Sequence, residues 1–306
     1  MEQLVDVIIV GGGPAGLNAA LVLGRARKKV LVIDEELPRN RVTKESHGFL
    51  TRDGVTPATF RHIAREQISV YPSVQFVKDT VIRATGQDRD FEMTTIQGNT
   101  YRGKKILFAT GMKDRPLAIA GLQEVYGKSA FVCPYCDGWE LRDQPLALIV
   151  SGGMALHLAK TISGWTDQFT ICTHGTEDWS EEEKEELEQR HISIVTSPIQ
   201  QIQSDTGMVK QIVFEDGTSL SCTGIFFAPE LEAGSEVPQM LGCELADTGM
   251  VIVDEFGKTN IAGVYSAGDS ASRKYQVVAA ASMGSMAAIS INSELLEKAW
   301  KSKVML

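Results

Sequence analysis

The sequence predicts an α/β protein made of two three-layer, Rossmann-like units, each a mainly parallel sheet between helices. Three observations predict it: a strand–glycine–helix–strand unit at the start, a similar βαβ pattern in the middle, and an apolar strand closing on Gly-Asp near the end. Residues 5–10 (Val-Asp-Val-Ile-Ile-Val) form the first strand, and Gly11-Gly12-Gly13-Pro14-Ala15-Gly16 follows it. A helical run covers residues 17–27, and a second strand, 29–33, ends at Asp34. The turn is therefore G-x-G-x-x-G between a strand and a helix, the context that gives the motif its meaning. Its three glycines permit the tight turn, the close approach of a pyrophosphate, and the packing of helix on strand. The helix start offers unbonded N–H groups and partial positive charge to phosphates. Asp34, 18 residues past Gly16, can accept hydrogen bonds from a ribose.

Further along, residues 105–111 (Lys-Ile-Leu-Phe-Ala-Thr-Gly) read as a short apolar strand ending in Ala109-Thr110-Gly111. Residues 146–150 open the second βαβ unit, with a helix over 154–163 and a strand over 169–172. The acid-rich run 181–190 is the solvated face of a helix. Residues 261–269 form a strand ending in Gly268-Asp269, followed by a helix rich in small residues. That last uncharged stretch, 275–292, lacks the Leu, Ile and Phe density of a membrane span and reads as a buried helix.

The 306 residues suffice for one large domain or two ordinary ones. Apolar content of 43% with 23% charged residues argues against disorder. A net charge of −9 opposes nonspecific nucleic-acid binding and gives no support to docking on acidic membranes. No signal peptide is expected, because Val5 already opens a core strand. Five cysteines with a single close pair do not make a secreted disulfide framework, so a reducing, cytoplasmic setting is expected.

The close pair lies in Cys133-Pro134-Tyr135-Cys136-Asp137-Gly138-Trp139-Glu140. A C-x-x-C alone fits zinc, a structural disulfide or a redox pair. Zinc wants four ligands, and neither a second C-x-x-C nor an H-x3-5-H accompanies this one, so no metal site is expected. Beside a dinucleotide fingerprint the redox pair is the favoured reading, with zinc and an inert pair as the alternatives. Asp137 could move protons for the sulfurs, or it could be a turn residue before Gly138. His47 and His157 are lone histidines in mixed segments and read as satisfied structural groups. Cys172, Cys222 and Cys243 sit in apolar or strand-like settings and read as inert packing residues.

With the opening fingerprint, Ala109-Thr110-Gly111, residues 133–137 and Gly268-Asp269 together, the chain resembles the low-molecular-weight thioredoxin reductases nearly end to end. Within that superfamily it is most similar to the flavin-dependent dithiol oxidases of the gliotoxin and holomycin type. Ser46-His47-Gly48-Phe49-Leu50-Thr51-Arg52-Asp53-Gly54 and Trp139-Glu140 support the closer match. The resemblance implies an FAD domain split over 1–114 and 246–306. Between them, 115–245 would form an NAD(P)H-like domain carrying the C-x-x-C. It implies that Gly11, Gly13, Pro14, Ala15 and Gly16 surround the FAD pyrophosphate, and that Asp34 meets the adenosine ribose. Ala109, Thr110, Gly111 and Gly268 join the cofactor-binding set by the same argument. Asp269 would meet the ribityl-phosphate region, Gln276 would lie near the isoalloxazine, and Arg39 and Asn40 match a flavin-contacting loop. It further implies that Cys136 faces the flavin, that Cys133 exchanges with substrate, that Asp137 is the proton donor and acceptor, and that the protein is a homodimer.

One departure matters. Where the reductases carry G-x-G-x-x-A for NADPH, this chain has Val150-Ser151-Gly152-Gly153-Met154-Ala155. A β-branched valine does not easily adopt the backbone angles of the turn glycine. Where the reductases place arginines to clamp the 2′-phosphate, this chain has Thr173-His174-Gly175-Thr176-Glu177-Asp178. Each charge-assisted phosphate bond is worth about 1.5–3 kcal/mol, so losing two costs roughly two to four powers of ten in affinity. NADPH is therefore doubtful as a cofactor, and NADH fares little better, since Val150 disturbs the pyrophosphate turn and no acid stands at Cys172 or Thr173.

These readings converge on an FAD-dependent oxidoreductase that passes two electrons between flavin and a dithiol/disulfide substrate. The expected direction is dithiol oxidation, with O2 or another acceptor taking the electrons. The rivals are a disulfide reductase fed by NAD(P)H or a ferredoxin-like donor, and a flavin redox sensor that does not turn over. The substrate could be a small dithiol or a thioredoxin-like protein.

Overall fold

The computed structural model of the chain describes residues 4–115 and 117–303. In chain order come β1 (Val5–Val10), α1 (Pro14–Arg25), β2 (Val30–Asp34), a 3₁₀ turn (Arg39–Val42), α2 (Pro57–Ser69), β3 (Val74–Lys78) and β4 (Val81–Gln87). Then follow β5 (Asp90–Thr95), β6 (Thr100–Phe108), β7 (Met112–Arg115), α3 (Leu122–Val125), β8 (Ala130–Phe131) and α4 (Pro134–Asp137). The middle continues with β9 (Leu146–Ile149), α5 (Gly152–Ile162), β10 (Phe169–Cys172), α6 (Glu181–Gln189), β11 (Ser193–Val195) and β12 (Ile199–Asp205). It goes on through β13 (Met208–Phe214), β14 (Ser219–Ser221), β15 (Gly224–Phe227), β16 (Glu230–Ala233) and α7 (Val237–Met240). The chain closes with β17 (Val264–Ser266), a 3₁₀ turn (Gly268–Ser270) and α8 (Val277–Lys303).

Two compact units result. One takes the described parts of 1–41, 48–113 and 231–306, the other 42–47 and the described parts of 114–230. The return to the first unit thus begins at Leu231, whereas the sequence put it at 246. The reason is local: Gly234 N–H donates to Gly111 O at 3.0 Å, and Val237 and Cys243 share a core with Ile8, Val10 and Ile106.

In the first unit the sheet order is β3-β2-β1-β6-β5-β4, with β17 also on β6. Strands β3, β2, β1, β6 and β17 run parallel, while β4 and β5 turn back antiparallel. The parallel strands are apolar runs because both faces are covered, one by a cluster with Leu17, Leu23 and Ile291, the other by one with Phe91 and Met93. Val10 pairs with both Ile33 and Phe108, and Phe108 pairs with Ser266. That register brings the ends of four strands, and the turns after them, to one edge of the sheet. Ligands of open α/β sheets bind at this edge.

Helix α1 starts at Pro14 rather than at residue 17, since proline has a preset φ and needs no N–H at the first helical position. It stops before Arg27, which is left-handed at φ 61°. The expected strand 261–269 shortens to β17, because Gly263 turns left-handed at φ 84° just before it. The small-residue helix runs longer than expected, as α8. No helix among the described residues is long and apolar enough to cross a membrane.

In the second unit a parallel sheet, β11-β10-β9-β15-β8, accompanies an antiparallel one, β12-β13-β14. Helix α5 starts at Gly152, earlier than residue 154. Helix α6 is fixed by a capping box: Ser180 Oγ accepts from Glu183 N–H at 3.2 Å, and Glu183 Oε2 accepts from Ser180 N–H at 2.9 Å. Only Leu187 of α6 is buried, so the acid-rich face is solvated.

Candidate active site

At the sheet edge of the first unit, Gly11 leaves β1 with φ 103°, which an L side chain rarely adopts. A β-carbon on Gly16 would strike Gly11 O and approach Ile9 to 3.2 Å, so the helix lies directly on the turn. Gly13 is the N-cap of α1 and offers no side-chain cap, no acid follows in the first turn, and a β-carbon there would meet open space. These are the features of an anion cradle: orphan N–H groups, positive helix end and room. Pro14 and Ala15 form the first helical turn, with Ala15 buried.

Asp34 ends β2 almost fully buried, 7% exposed, and holds Arg61 by a hydrogen bond, with Arg65 at 3.6 Å. Both arginines come from α2, one helical turn apart. Their Nε atoms are buried without a hydrogen-bond partner. Ala109, with its N–H on Val10 O at 2.8 Å, leads to Thr110 and to Gly111 at φ 64°. Gly268 follows β17 at φ 80°, and Asp269 lies 3.6 Å from Arg39, whose guanidinium stacks on Tyr275 at 4.8 Å. Asn40 is half-buried in the 3₁₀ turn that Arg39 opens, and Gln276 is exposed just ahead of α8. The first unit therefore gathers the glycine turn, Asp34, the Ala-Thr-Gly corner and the Arg39–Asp269 pair on turns that follow its strands.

In the second unit, Cys133 and Cys136 form a disulfide with Cα atoms 5.3 Å apart. Cys133 is the N-cap of α4, whose single turn is held by Cys136 and Asp137 N–H groups on Cys133 O at 3.0 and 3.2 Å. Pro134 takes the first helical position. A β-carbon on Gly138 would come within 3.0 Å of the Trp165 ring, so glycine lets the turn lie on that indole. Tyr135 meets the same ring edge-on at 5.5 Å, and Tyr135 and Trp139 are both largely exposed. Burial pushes the Asp137 carboxyl up to about 7; Glu140 pushes it the same way and His47 opposes both. A group that titrates near neutrality beside a disulfide can both take and give a proton.

The second glycine turn is built differently from the first. Val150 is buried, donates its N–H to Cys172 O at 3.2 Å, and keeps a negative φ, while the left-handed position passes to Gly152 at φ 60°. Two residues separate the end of β9 from Gly152, where α5 begins, against three between β1 and α1. A β-carbon on Gly152 would meet the Asp178 carboxylate at 3.1 Å, and one on Gly153 would meet Glu183 Oε1 at 2.8 Å. Two acids thus stand at the start of α5, and among the described residues neither pairs with a cation. In the first unit the comparable acid, Asp34, is balanced by Arg61 and Arg65.

The remaining candidates are quieter. Burial pushes the Cys172 and Cys222 thiols up to about 12 and raises Cys243, so none offers a thiolate near neutral pH. His157 is exposed on α5. Among the described residues no group of three or more His, Cys, Asp or Glu side chains could hold a metal ion.

Comparison with known proteins gives these features a family. The description "Pyridine nucleotide-disulphide oxidoreductase" matches residues 5–284. The chain belongs to that family. Among solved structures, HlmI superposes with a TM-score of 0.94 at 29% identity, covering 100% of this chain and 96% of that one. A protein assigned as thioredoxin reductase TrxB from Bacillus anthracis gives 0.91 at 38% identity, covering 96% and 99%. Thioredoxin reductase tcpT of Claviceps purpurea is 29% identical over 315 residues, 96% of this chain and 95% of that protein. A further match, 44% identical over 154 residues to a protein of Arthroderma benhamiae, spans 48% of this chain and 38% of that protein's length.

This pyridine nucleotide-disulphide oxidoreductase is thus a thioredoxin reductase-like enzyme with the expected α/β fold, and its family binds FAD and typically NADPH. The open, uncapped start of α1 and the donors around Asp34 fit FAD. The start of α5, faced by Asp178 and Glu183, does not fit a pyrophosphate in the same way.

In sequence, His47 reads as a structural histidine. The structure brings it to Glu140, one turn past Asp137, with Nε2 3.7 Å from Glu140 Oε1 and 3.8 Å from Glu45 Oε2. Arg61 and Arg65 were also unmarked in sequence, although their i,i+4 spacing on a helix after the strand-end acid was a usable signal.

Proposed function

We propose that this enzyme oxidises a dithiol to a disulfide through Cys133 and Cys136, with FAD held in the first unit. The observation that carries the direction is the pair of uncompensated acids at the start of α5. A dinucleotide phosphate there would meet like charge where the family needs a phosphate site. FAD, when bound, would supply the two-electron acceptor chemistry, with O2 or another acceptor as the final oxidant.

The residues of the chain would do the rest. Gly13, Ala15 and Gly16 would present backbone N–H groups to the pyrophosphate, while Gly11, whose own N–H is donated to Ile33 O, makes the tight turn and Pro14 opens α1. Asp34 orients the ribose from its arginine-held position. Ala109, Thr110, Gly111, Gly268, Asp269, Arg39, Asn40 and Gln276 border the rest of the cofactor. A substrate thiol gives its proton to Asp137 and attacks Cys133 Sγ, and Cys136 leaves as a thiolate. Asp137 then returns the proton, a role suited to a group raised to about 7.

A disulfide reductase fed by NAD(P)H or a ferredoxin-like donor is the second reading, favoured by the names that TrxB and tcpT carry. A small dithiol or a thioredoxin-like protein would be the substrate, and we propose a cytoplasmic homodimer. Oxygen uptake with small dithiols tests the proposal: many turnovers per flavin are expected. A single stoichiometric reduction would mark a sensor and overturn it.

A further inference from the structure

Around the disulfide, two stretches distant in sequence supply charge from the same unit. Residues 134–140 carry Asp137 and Glu140, and residues 42–47 carry Glu45 and His47. The His47 side chain is 18% exposed, and its Nε2 lies between two carboxylates, at 3.7 Å from Glu140 and 3.8 Å from Glu45. Glu45 also has Lys44 at 3.7 Å, a side chain 90% exposed and solvated. Tyr135 of α4 and Trp165, which packs against it, bring no charge. The groups that act on Asp137 are therefore Glu140 and His47, with Glu45 acting through the histidine.

We propose that His47 is a positioning residue for thiol–disulfide exchange, its side chain held between Glu45 and Glu140 so that Asp137 stays available as the proton acceptor. This rests on the reading above that Cys133 and Cys136 are the redox pair. One substrate thiol passes its proton to Asp137, its sulfur bonds to Cys133 Sγ, the Cys133–Cys136 bond breaks, and Asp137 protonates Cys136. The second substrate thiol repeats the transfer on the mixed disulfide, releasing Cys133 as a thiol. The substrate loses two electrons and two protons, and the cysteine pair gains both.

Three acids around one half-buried exchange site would keep a proton bound and leave no base. His47 among them works in the opposite direction. Burial and Glu140 raise Asp137 and His47 lowers it, so removing His47 leaves the first two unopposed. The acidic limb of the exchange rate then moves to higher pH. Removing Glu140 moves it the other way.

The test uses the flavin-loaded protein. Dithiothreitol opens the Cys133–Cys136 disulfide at pH values from 5.5 to 9, acid and alkylation stop the reaction, and mass spectrometry counts free thiols. The reagent's own ionisation is common to all variants. His47→Gln is expected to raise the midpoint by about half a pH unit or more. Glu140→Gln should lower it, and His47→Lys, which places a cation there, should restore it. A His47→Gln profile with an unmoved midpoint, even at a lower rate throughout, overturns the proposal. Should His47→Gln not fold, an unmoved midpoint in Glu140→Gln does the same. Oxygen uptake plays no part, so the midpoint shift stands or falls separately from the direction of turnover. A wild-type disulfide that dithiothreitol cannot open would instead remove the redox pair itself.

Discussion

The Asp178 carboxylate lies 3.1 Å from where a β-carbon on Gly152 would stand, at the start of α5. In the first unit, Gly12 has the same relationship to the Asp34 carboxylate, whose Oδ2 would lie 2.5 Å from a β-carbon there. The two turns differ in what balances the acid. Asp34 is held by Arg61 and Arg65, whereas Asp178 has no cation among the described residues and gains a second acid, Glu183, at Gly153. A helix start is an anion site only while its partial positive charge is unspent. Here two carboxylates spend it.

The cysteines should be distinguishable by spectrum. Cys133→Ser leaves Cys136 as the free sulfur, so a thiolate-to-flavin charge-transfer absorbance is expected at alkaline pH. Cys136→Ser should lack that absorbance. Either change should lower dithiol turnover by at least about two powers of ten. Near-wild-type turnover in both variants would remove the pair from the mechanism.

Asp137 predicts an unusual pH dependence of stability. Its folded carboxyl sits near 7, against 3.8 for an unperturbed group, because burial disfavours the charge. The folded state therefore loses stability as pH rises from about 4 to about 7, the reverse of a paired carboxylate. Asp137→Asn should match wild type near pH 4 and exceed it by about 1–3 kcal/mol at pH 8. Turnover at neutral pH should fall about 100-fold in the same variant. Urea melts at the two pH values check this, and a variant less stable at pH 8 would contradict it.

Glu294 predicts the ordinary sign. Burial raises its carboxyl, but hydrogen bonds from Lys105 and Lys258 outweigh that and hold it at about 2. Lys105 is fully buried between Glu294 at 2.5 Å and Asp88 at 2.8 Å. Glu294→Gln leaves that lysine short of charge and should cost about 1–3 kcal/mol at pH 7. The wild-type advantage is present above pH 4.5 and is lost as pH falls toward 2, so the difference should shrink in acid. A constant difference across this range would argue for lost packing alone.

Local features were readable in the sequence, and long-range ones were not. The β1–turn–α1–β2 unit announced itself because its strands are unbroken Val and Ile runs and its turn needs glycine at fixed positions. The hairpin of β4 and β5 escaped notice because β4 mixes buried Val81 and Ala84 with exposed residues and shifts register between Val81 and Arg83. The sheet of β12, β13 and β14 is half-solvated in the same way. The degenerate second turn was visible as Val150, but the acids that face it were not fully so: Glu183 reads as a capping residue of α6, and only folding brings its Oε1 to Gly153. His47 belongs to the same class, since nothing near residue 47 in sequence points to Glu140.

The most direct test is anaerobic stopped-flow reduction of the flavin by excess NADPH, NADH and a reduced dithiol in parallel. Loss of two 2′-phosphate clamp bonds alone costs roughly two to four powers of ten in NADPH affinity, and Asp178 and Glu183 repel the pyrophosphate of NADPH and NADH alike. The dithiol should therefore bleach the flavin much faster than either nucleotide. Rapid bleaching by NADPH that saturates at micromolar concentration would contradict the account and make the chain an ordinary NADPH-fed disulfide reductase.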